Sequence, residues 1–453
     1  TKSQNLLAVI WGANRFLRSR PIFNGMKKNP YIKKILPNGL PVVLVPMEST
    51  EAVTLLVLVG TGSKYETRKI NGISHFLEHL FFKGTKHRPN PGDVHHELDR
   101  IGAEHNAFTS KEVTGYWVKT ASKYFDTALD VISDILLDPL FKEEEIEKER
   151  AVILQEISMY NDNPMRKVSD DWEELLYGDQ PAGWNTAGSI QTLKGISRDD
   201  IVSYRHSQYV ASNSVVIVAG KIDPDEAFRK IKKSLTALKV GHAKKKLRVK
   251  EKQSRPAVQL AFKKTDQTHF ILGARGYDMY DRRRHAMDLL GVIVGGNASS
   301  RFFMEIREKR GLAYYVKASA DHYTDTGYLA GMAGVRHDAL KEAVKRMVME
   351  LKDIALNGPT EEEVSFAKDN LRGSLALSFE STDEIASFYG ERELFYKNLI
   401  TPQELFKNIE KVSRNDIIKV AREIFKPNNL NLVVIGPHRD SKLYQKLIIE
   451  SLK

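Results

Sequence analysis

Three residues in the stretch Gly72-Ile-Ser-His-Phe-Leu-Glu-His-Leu80 could do chemistry together: His75, Glu78 and His79. On a helix of 3.6 residues per turn these positions share one face, while Phe76, Leu77 and Leu80 point elsewhere and can enter a core. Two imidazoles and a carboxylate within reach of one point suit a catalytic zinc. Such an ion takes nitrogen and carboxylate ligands in a tetrahedron and keeps one position open. His-x-x-Glu-His is the inverted form of the common zinc-protease helix motif. The competing explanation is an amphipathic helix with two ordinary histidines, so the rest of the chain has to decide.

A catalytic zinc needs a third protein ligand. The chain has no cysteine, which excludes disulfides, thiolate catalysis and thiolate ligands and leaves His and carboxylates. The Glu-rich segment 142–160 offers Glu147, Glu149 and Glu156, of which Glu149 and Glu156 lie seven residues apart on one helix face. Two histidines and one carboxylate would leave a water position free. A second carboxylate could orient a histidine. Spacing alone does not choose among the three glutamates.

The elements that must position these groups follow from pattern. Ile35–Val45 reads as strand, Asn-Gly turn, strand, and Ala52–Val59 as a further apolar strand ending at Gly60-Thr-Gly62. The motif helix is predicted over Ile73–Phe82 with Gly84 as its stop, and a second helix over Val94–Ile101. Ala103–Ser110 and Val113–Thr120 read as a hairpin of strands. Helices are predicted over Tyr124–Leu137 and Lys142–Tyr160, with a break at Asn161–Pro164 and a further helix over Val168–Tyr177. Pro181–Gly188 reads as a loop, Ser197–Tyr209 as a helix and Ser214–Ala219 as a strand. Gly295-Gly-Asn297 reads as a turn.

The pattern then restarts. Ser197-Arg198, Asp200-Ile201 and Asn213 recur as Ser413-Arg414, Asp416-Ile417 and Asn429, each 216 positions later, and Val216–Gly220 recurs as Leu432–Gly436 at the same offset. Glu143–Ile146 echoes Glu361–Val364 more weakly, which puts Ala367 opposite Glu149 and Ser374 opposite Glu156. The second copy has no His-x-x-Glu-His. The fold class expected is α+β, two homologous repeats of about 210 residues, each a mostly antiparallel sheet packed with helices. The domains are a basic leader at 1–30, expected to be disordered, a metal-binding domain at 31–241, a basic linker at 242–256 and a metal-free domain at 257–453. The linker carries seven Lys or Arg and one acid between His242 and Arg255, and Pro256 closes it. No acid precedes Glu48, and Arg15, Arg18 and Arg20 sit among apolar residues, a composition that resembles a transit peptide. A leader that is disordered or appended, with Met26 as a candidate natural start, is the preferred reading.

Composition narrows the rest. Hydrophobic content of 42% and charged content of 28% fit an ordinary soluble globular protein. No apolar run approaches the roughly 20 residues that span a bilayer, so membrane insertion is not expected. The net charge of +11 reads as a Lys-rich solvated surface. There is no nucleic-acid motif, and no nucleic-acid partner is expected.

The sequence resembles the inverzincin metallopeptidases, the pitrilysin, insulin-degrading enzyme and mitochondrial processing peptidase β-subunit family, nearest the bacterial processing-peptidase-like branch. The matching residues are His75-Phe-Leu-Glu-His79 with Phe82-Lys-Gly-Thr85, Gly102-Ala103 with Asn106–Thr109, Ile146 with Glu149-Arg150, Val152-Ile153 and Glu156, and Arg307-Glu-Lys-Arg-Gly-Leu-Ala-Tyr314. The match covers essentially residues 31–453. The resemblance implies a processing-peptidase-like half-shell and one zinc per chain, held by His75, His79 and Glu156. It implies Glu78 as the general base and Glu149 as the acid that supports the ligands. It further implies Asn106, Ala107, Phe108 and Thr109 as the sheet edge to which an unfolded peptide adds as a strand. Arg307 and Tyr314 would contact the substrate backbone and the developing oxyanion. By pattern alone those two would be a surface arginine and a core tyrosine.

The expectation is a zinc endopeptidase acting on unfolded peptides or presequences. The alternative is a non-catalytic peptide-binding or partner subunit, against which the intact metal motif speaks. Because one chain carries both the metal motif and the Arg307–Tyr314 motif, a homodimer would suffice, with a heterodimer of related subunits as the alternative. A fully active monomer in sedimentation would refute this. A cytoplasmic, bacterial-type location is expected, with the mitochondrial matrix as the alternative.

Overall fold

The computed structural model describes residues 30–452, so the leader expected at 1–30 lies almost wholly outside the described residues. Among the described residues eleven strands form two sheets. The first sheet contains β1 (Ile32–Ile35), β2 (Pro41–Pro46), β3 (Ala52–Val59), β4 (Glu104–Thr109), β5 (Thr114–Ala121) and β6 (Ser214–Gly220), in the order β1-β2-β6-β3-β5-β4. The second contains β7 (Ala257–Phe262), β8 (Thr268–Arg275), β9 (Ala313–His322), β10 (Gly327–Val335) and β11 (Leu430–Gly436), in the order β7-β11-β8-β10-β9. Without β1, the two orders correspond strand for strand. Each sheet has one parallel pair, β2 with β6 and β7 with β11, and is otherwise antiparallel.

The repeat extends to the caps. Ser197 and Ser413 each accept a hydrogen bond from the amide of Asp200 or Asp416, and each aspartate accepts one back from the serine amide. These reciprocal caps satisfy two orphan donors apiece and start helices Arg198–Gln208 and Arg414–Ile424. Arg198 and Arg414 then donate to carbonyls of Phe141 and Pro359, respectively. A shared offset in sequence thus becomes a shared local geometry.

The compact units do not follow the repeat boundary. Among the described residues one unit comprises 30–157, 185–247 and 374–403; the other comprises 158–184, 248–373 and 404–452. In the first, helix Thr382–Glu391 lies on β3 and β6. Thr382 Oγ1 is 2.8 Å from Thr54 Oγ1, and Lys119 donates to Asp383 at 2.8 Å. In the second, helix Pro164–Tyr177 sets Val168, Trp172 and Leu176 against Ile271, Val433 and Ile435. Each repeat therefore contributes one helix to the unit built on the other repeat's sheet. The break expected at Asn161–Pro164 falls at Asn163, and the next helix starts at Pro164 rather than at Val168. The Asn163 side chain accepts from the amides of Met165 and Arg166, and Pro164 occupies the first helical position, where its missing N–H costs nothing. The segment 242–256 has no helix or strand; Lys246 lies 3.4 Å from Glu112 in the first unit, and the Val249 amide donates to Asp325 in the second. Among the described residues no helix is long and apolar enough to cross a membrane.

In the second unit, burial and the neighbouring Glu173 push the Asp321 carboxyl up to about 6. The unfolded chain ionises Asp321 near its ordinary value, so between roughly pH 4 and 6 the folded state holds the extra proton and stability falls as pH rises. Above about pH 6 the cost is constant, at most about 3 kcal/mol. Asp321→Asn should therefore stabilise the protein more at pH 7.5 than at pH 4, as read by urea unfolding. An equal effect at both pH values would contradict this.

Candidate metal centre

The helix Ile73–Leu80 buries Ile73, Phe76, Leu77 and Leu80, each at most 1% exposed. Burying the last three contributes roughly 5–9 kcal/mol and fixes the rotation of the helix. The opposite face then presents His75, Glu78 and His79. The second contributor is helix Glu143–Asp162, anchored by Ile146, Ile153 and Ile157 in the same core. It brings Glu149 and Glu156 to the motif.

One donor atom each from His75, His79 and Glu156 lie within 4.8 Å of one another. Nε2 of His75 and Nε2 of His79 are each 3.6 Å from Glu156 Oε2. Among the described residues this is the one group of three or more His, Cys, Asp or Glu donors that could hold an ion. Two neutral imidazoles and a carboxylate fit zinc in type and number, with a position left for a reactant.

Glu149 is turned to a different task. Its Oε2 is 3.1 Å from His79 Nδ1, and its Oε1 takes the Lys83 ammonium at 2.8 Å. It thus grips the far side of the imidazole whose Nε2 faces Glu156, the arrangement that fixes a ligating histidine's tautomer. Burial alone would raise its pKa, but His79 and Lys83 hold it below the usual carboxylate range. For His79, burial is outweighed by Glu149 and by the Glu78 and Glu156 charges, and its pKa is raised. Any metal must displace that proton, so affinity should fall in acid. Glu147, the third candidate in the sequence, is 59% exposed in its side chain and paired with Arg150 three residues on. Helical phase thus separates what spacing left open.

Glu78 lies between the histidines but outside the donor group. Burial raises its pKa, opposed by a Thr109 hydrogen bond and the His79 charge. Its Oε2 is buried and, among the described residues, accepts no hydrogen bond. A carboxylate oxygen left without a donor is available for a proton.

Asn106, Ala107, Phe108 and Thr109 lie on β4, which among the described residues pairs with β5 alone and forms one edge of its sheet. Ala107 is buried, Phe108 lies against Gly115 where a Cβ would meet its ring, and Thr109 donates toward Ser74 O at 3.5 Å. Arg307 and Tyr314 belong to the second unit. Arg307 lies on a π-helical turn, Phe303–Glu308, and its guanidinium is 4.9 Å from the Phe303 ring and 5.9 Å from the Tyr314 ring. Tyr314, a core residue by pattern, is 76% exposed at the start of edge strand β9, because β9 alternates outward there. Ala367 and Ser374, the counterparts of Glu149 and Glu156, are both buried.

Sequence reasoning missed Lys83 and Glu66. Lys83 had a signal, since it follows His79 by four residues, one turn along the same face. Glu66 had none, as it sits in an irregular loop. Its contacts are taken up below.

Residues 42–189 match the model of the insulinase family, peptidase family M16, and residues 195–371 match the peptidase M16 inactive domain. A protein of Streptomyces coelicolor described as an uncharacterized zinc protease is 34% identical over 90% of each chain. Another so described, from Bacillus subtilis, is 34% identical over 88% of this chain and 97% of its own. Among solved structures, a protease from Helicobacter pylori superposes with a TM-score of 0.84 at 25% identity, covering 90% of this chain and 99% of that one.

Proposed function

The chain belongs to the insulinase family of peptidases, and on that premise we propose that it is a zinc-dependent endopeptidase that cuts unfolded peptides or presequences. The observation that carries this is the convergence of His75, His79 and Glu156 donors within 4.8 Å of one another, at the helix face that also carries Glu78 with its buried Oε2. These three residues would hold one zinc per chain. When bound, zinc would polarise the scissile carbonyl and acidify water at the site. The other tasks fall to the chain itself. Glu78 Oε2 takes the proton of the attacking water and returns it to the leaving amine, which suits a carboxyl whose pKa burial raises. Glu149 keeps His79 in the tautomer whose Nε2 is free to ligate. The free edge of β4 offers backbone groups to a substrate strand, an attachment that tolerates many sequences. By family resemblance Arg307 and Tyr314 steady the substrate backbone and the oxyanion, and both are exposed to solvent.

Lys83 ties Glu149 to the motif helix. In Lys83→Met, Glu149 loses a charged partner and its hold on His79 loosens. Zinc affinity, measured by competition with a chromophoric chelator, should fall roughly 10-fold, the low end for such supporting contacts. Unchanged affinity would show that Lys83 is only a surface ion pair. The experiment that tests the function itself is peptide cleavage by the wild type and by Glu78→Gln, taken up in the Discussion.

A further inference from the structure

The helix that carries His75 begins at a position that cannot cap it. Its N-cap residue is Gly72, at φ 100°. A Cβ there would lie 2.7 Å from the Ala187 carbonyl oxygen. Both the left-handed backbone and the close approach require glycine, so no Ser, Thr, Asp or Asn can supply the usual cap. The orphan amides of the first turn still need an acceptor.

Glu66 provides it from the preceding loop. Its Oε2 accepts from the Gly72 amide at 2.8 Å and from Asn71 Nδ2 at 2.9 Å, and its Oε1 accepts from the Ser74 amide at 2.9 Å. The residue is 4% exposed. Burial raises its pKa, and the Ser74 and Gly72 amides and Asn71 pull it back by bonding the ionised form, which the positive end of the helix dipole also favours. Asn71 Nδ2 is also 3.0 Å from Asn185 O, at the point where the chain re-enters the first unit. On the other side of the turn the Ser74 hydroxyl meets Tyr204 OH at 2.8 Å, and Tyr204 OH meets Thr61 Oγ1 at 2.8 Å.

We propose that Glu66 is a positioning residue for the metal centre: its carboxylate clamps the first turn of the motif helix and thereby fixes the aim of His75. His75 is the third residue of that helix, inside the clamped turn, whereas His79 stands one turn later and has Glu149 to orient it. Without Glu66, the first turn frays from Gly72 and His75 loses its fixed position opposite Glu156 before His79 does. The role needs a carboxylate rather than an isosteric amide. Its two oxygens accept from the Gly72 and Ser74 amides and from Asn71 Nδ2, and the NH2 of a glutamine would face one of those donors. The inference rests on the zinc reading for its functional consequence, but not for the clamp itself.

The test uses the full chain with two readouts, zinc affinity by chelator competition and backbone amide exchange in the zinc-free protein. In Glu66→Gln, zinc affinity should fall roughly 10-fold or more, and exchange at Gly72–His75 should accelerate relative to Leu77–Leu80. Asn71→Ala, a milder change that keeps the carboxylate but removes one of its donors, should move both readouts the same way by a smaller factor. It replaces Glu66→Gln if that variant does not fold. A merely structural role would lower the unfolding temperature and leave the zinc affinity of the folded protein unchanged. That result, or unchanged exchange at Gly72–His75, would overturn the proposal. If the wild type takes up no zinc while Glu66→Gln still accelerates that exchange, the clamp stands and the metal reading fails.

Discussion

Glu78→Gln should abolish peptide hydrolysis while leaving zinc in place. Glutamine keeps the shape and one oxygen of the side chain but cannot take a proton. Glu78 is not among the three donors that converge on the metal position, so the substitution removes no ligand. General acid–base groups contribute roughly 10²–10⁴-fold, and the loss in kcat should fall in that range or beyond it. KM should change little, because Glu78 meets β4 only through the Thr109 side chain, whereas a substrate strand would use the backbone groups of that edge. The raised pKa of Glu78 comes chiefly from burial, and the glutamine should sit in the same cavity without that cost. The variant should therefore be at least as stable as the wild type. Cleavage of a quenched peptide library at the wild-type rate would remove Glu78 from the mechanism. It would return the chain to the peptide-binding alternative.

The second large effect is expected from Glu156→Gln. Glu156 is the proposed ligand supplied from outside the motif helix, and its Oε2 lies 3.6 Å from both imidazole Nε2 atoms. An amide oxygen is a poor substitute for a carboxylate opposite a dication. Three protein ligands share a binding free energy of roughly 10–16 kcal/mol in well-formed zinc sites, so losing one should weaken binding by on the order of 10²–10⁴-fold. Because zinc binds the folded state alone, the wild type should also unfold at a higher temperature with zinc than without, and Glu156→Gln should lose most of that difference. Calorimetry with and without added zinc reads both. An undiminished zinc-dependent rise in Glu156→Gln would mean that another residue completes the site.

The parts of this account that were legible in the sequence are those encoded locally. The motif helix follows from the spacing of His75, Glu78 and His79 against Phe76, Leu77 and Leu80. The repeat is visible because capping boxes and buried strands need particular residues at particular steps, so Ser197 to Gly220 and Ser413 to Gly436 could not drift apart freely. The strand order of the two sheets then agrees as a consequence. What was not legible depends on partners far along the chain. Nothing in Val168, Trp172 and Leu176 says that their stripe will face Ile271 and Val433, so the exchange of helices between the two units escapes a local reading. Pro164 shows a subtler limit. Its missing N–H forbids a helix interior but suits a helix start, and only the Asn163 side chain shows which applies. Pattern alone makes Tyr314 a core tyrosine, but alternation along an edge strand turns it outward. Glu66 is the plainest case, an acid in an irregular loop whose role appears only when the helix amides it serves come within reach.

The central claim, that one zinc held by His75, His79 and Glu156 makes this chain a peptidase, is tested most directly on a single preparation. Zinc per chain and cleavage of a quenched peptide library are measured before chelation, after chelation and after zinc is restored. The expected result is one zinc per chain, loss of cleavage in step with loss of metal, and recovery complete at one equivalent. Cleavage that survives removal of the metal, or a purified chain that neither contains nor takes up zinc, would contradict it.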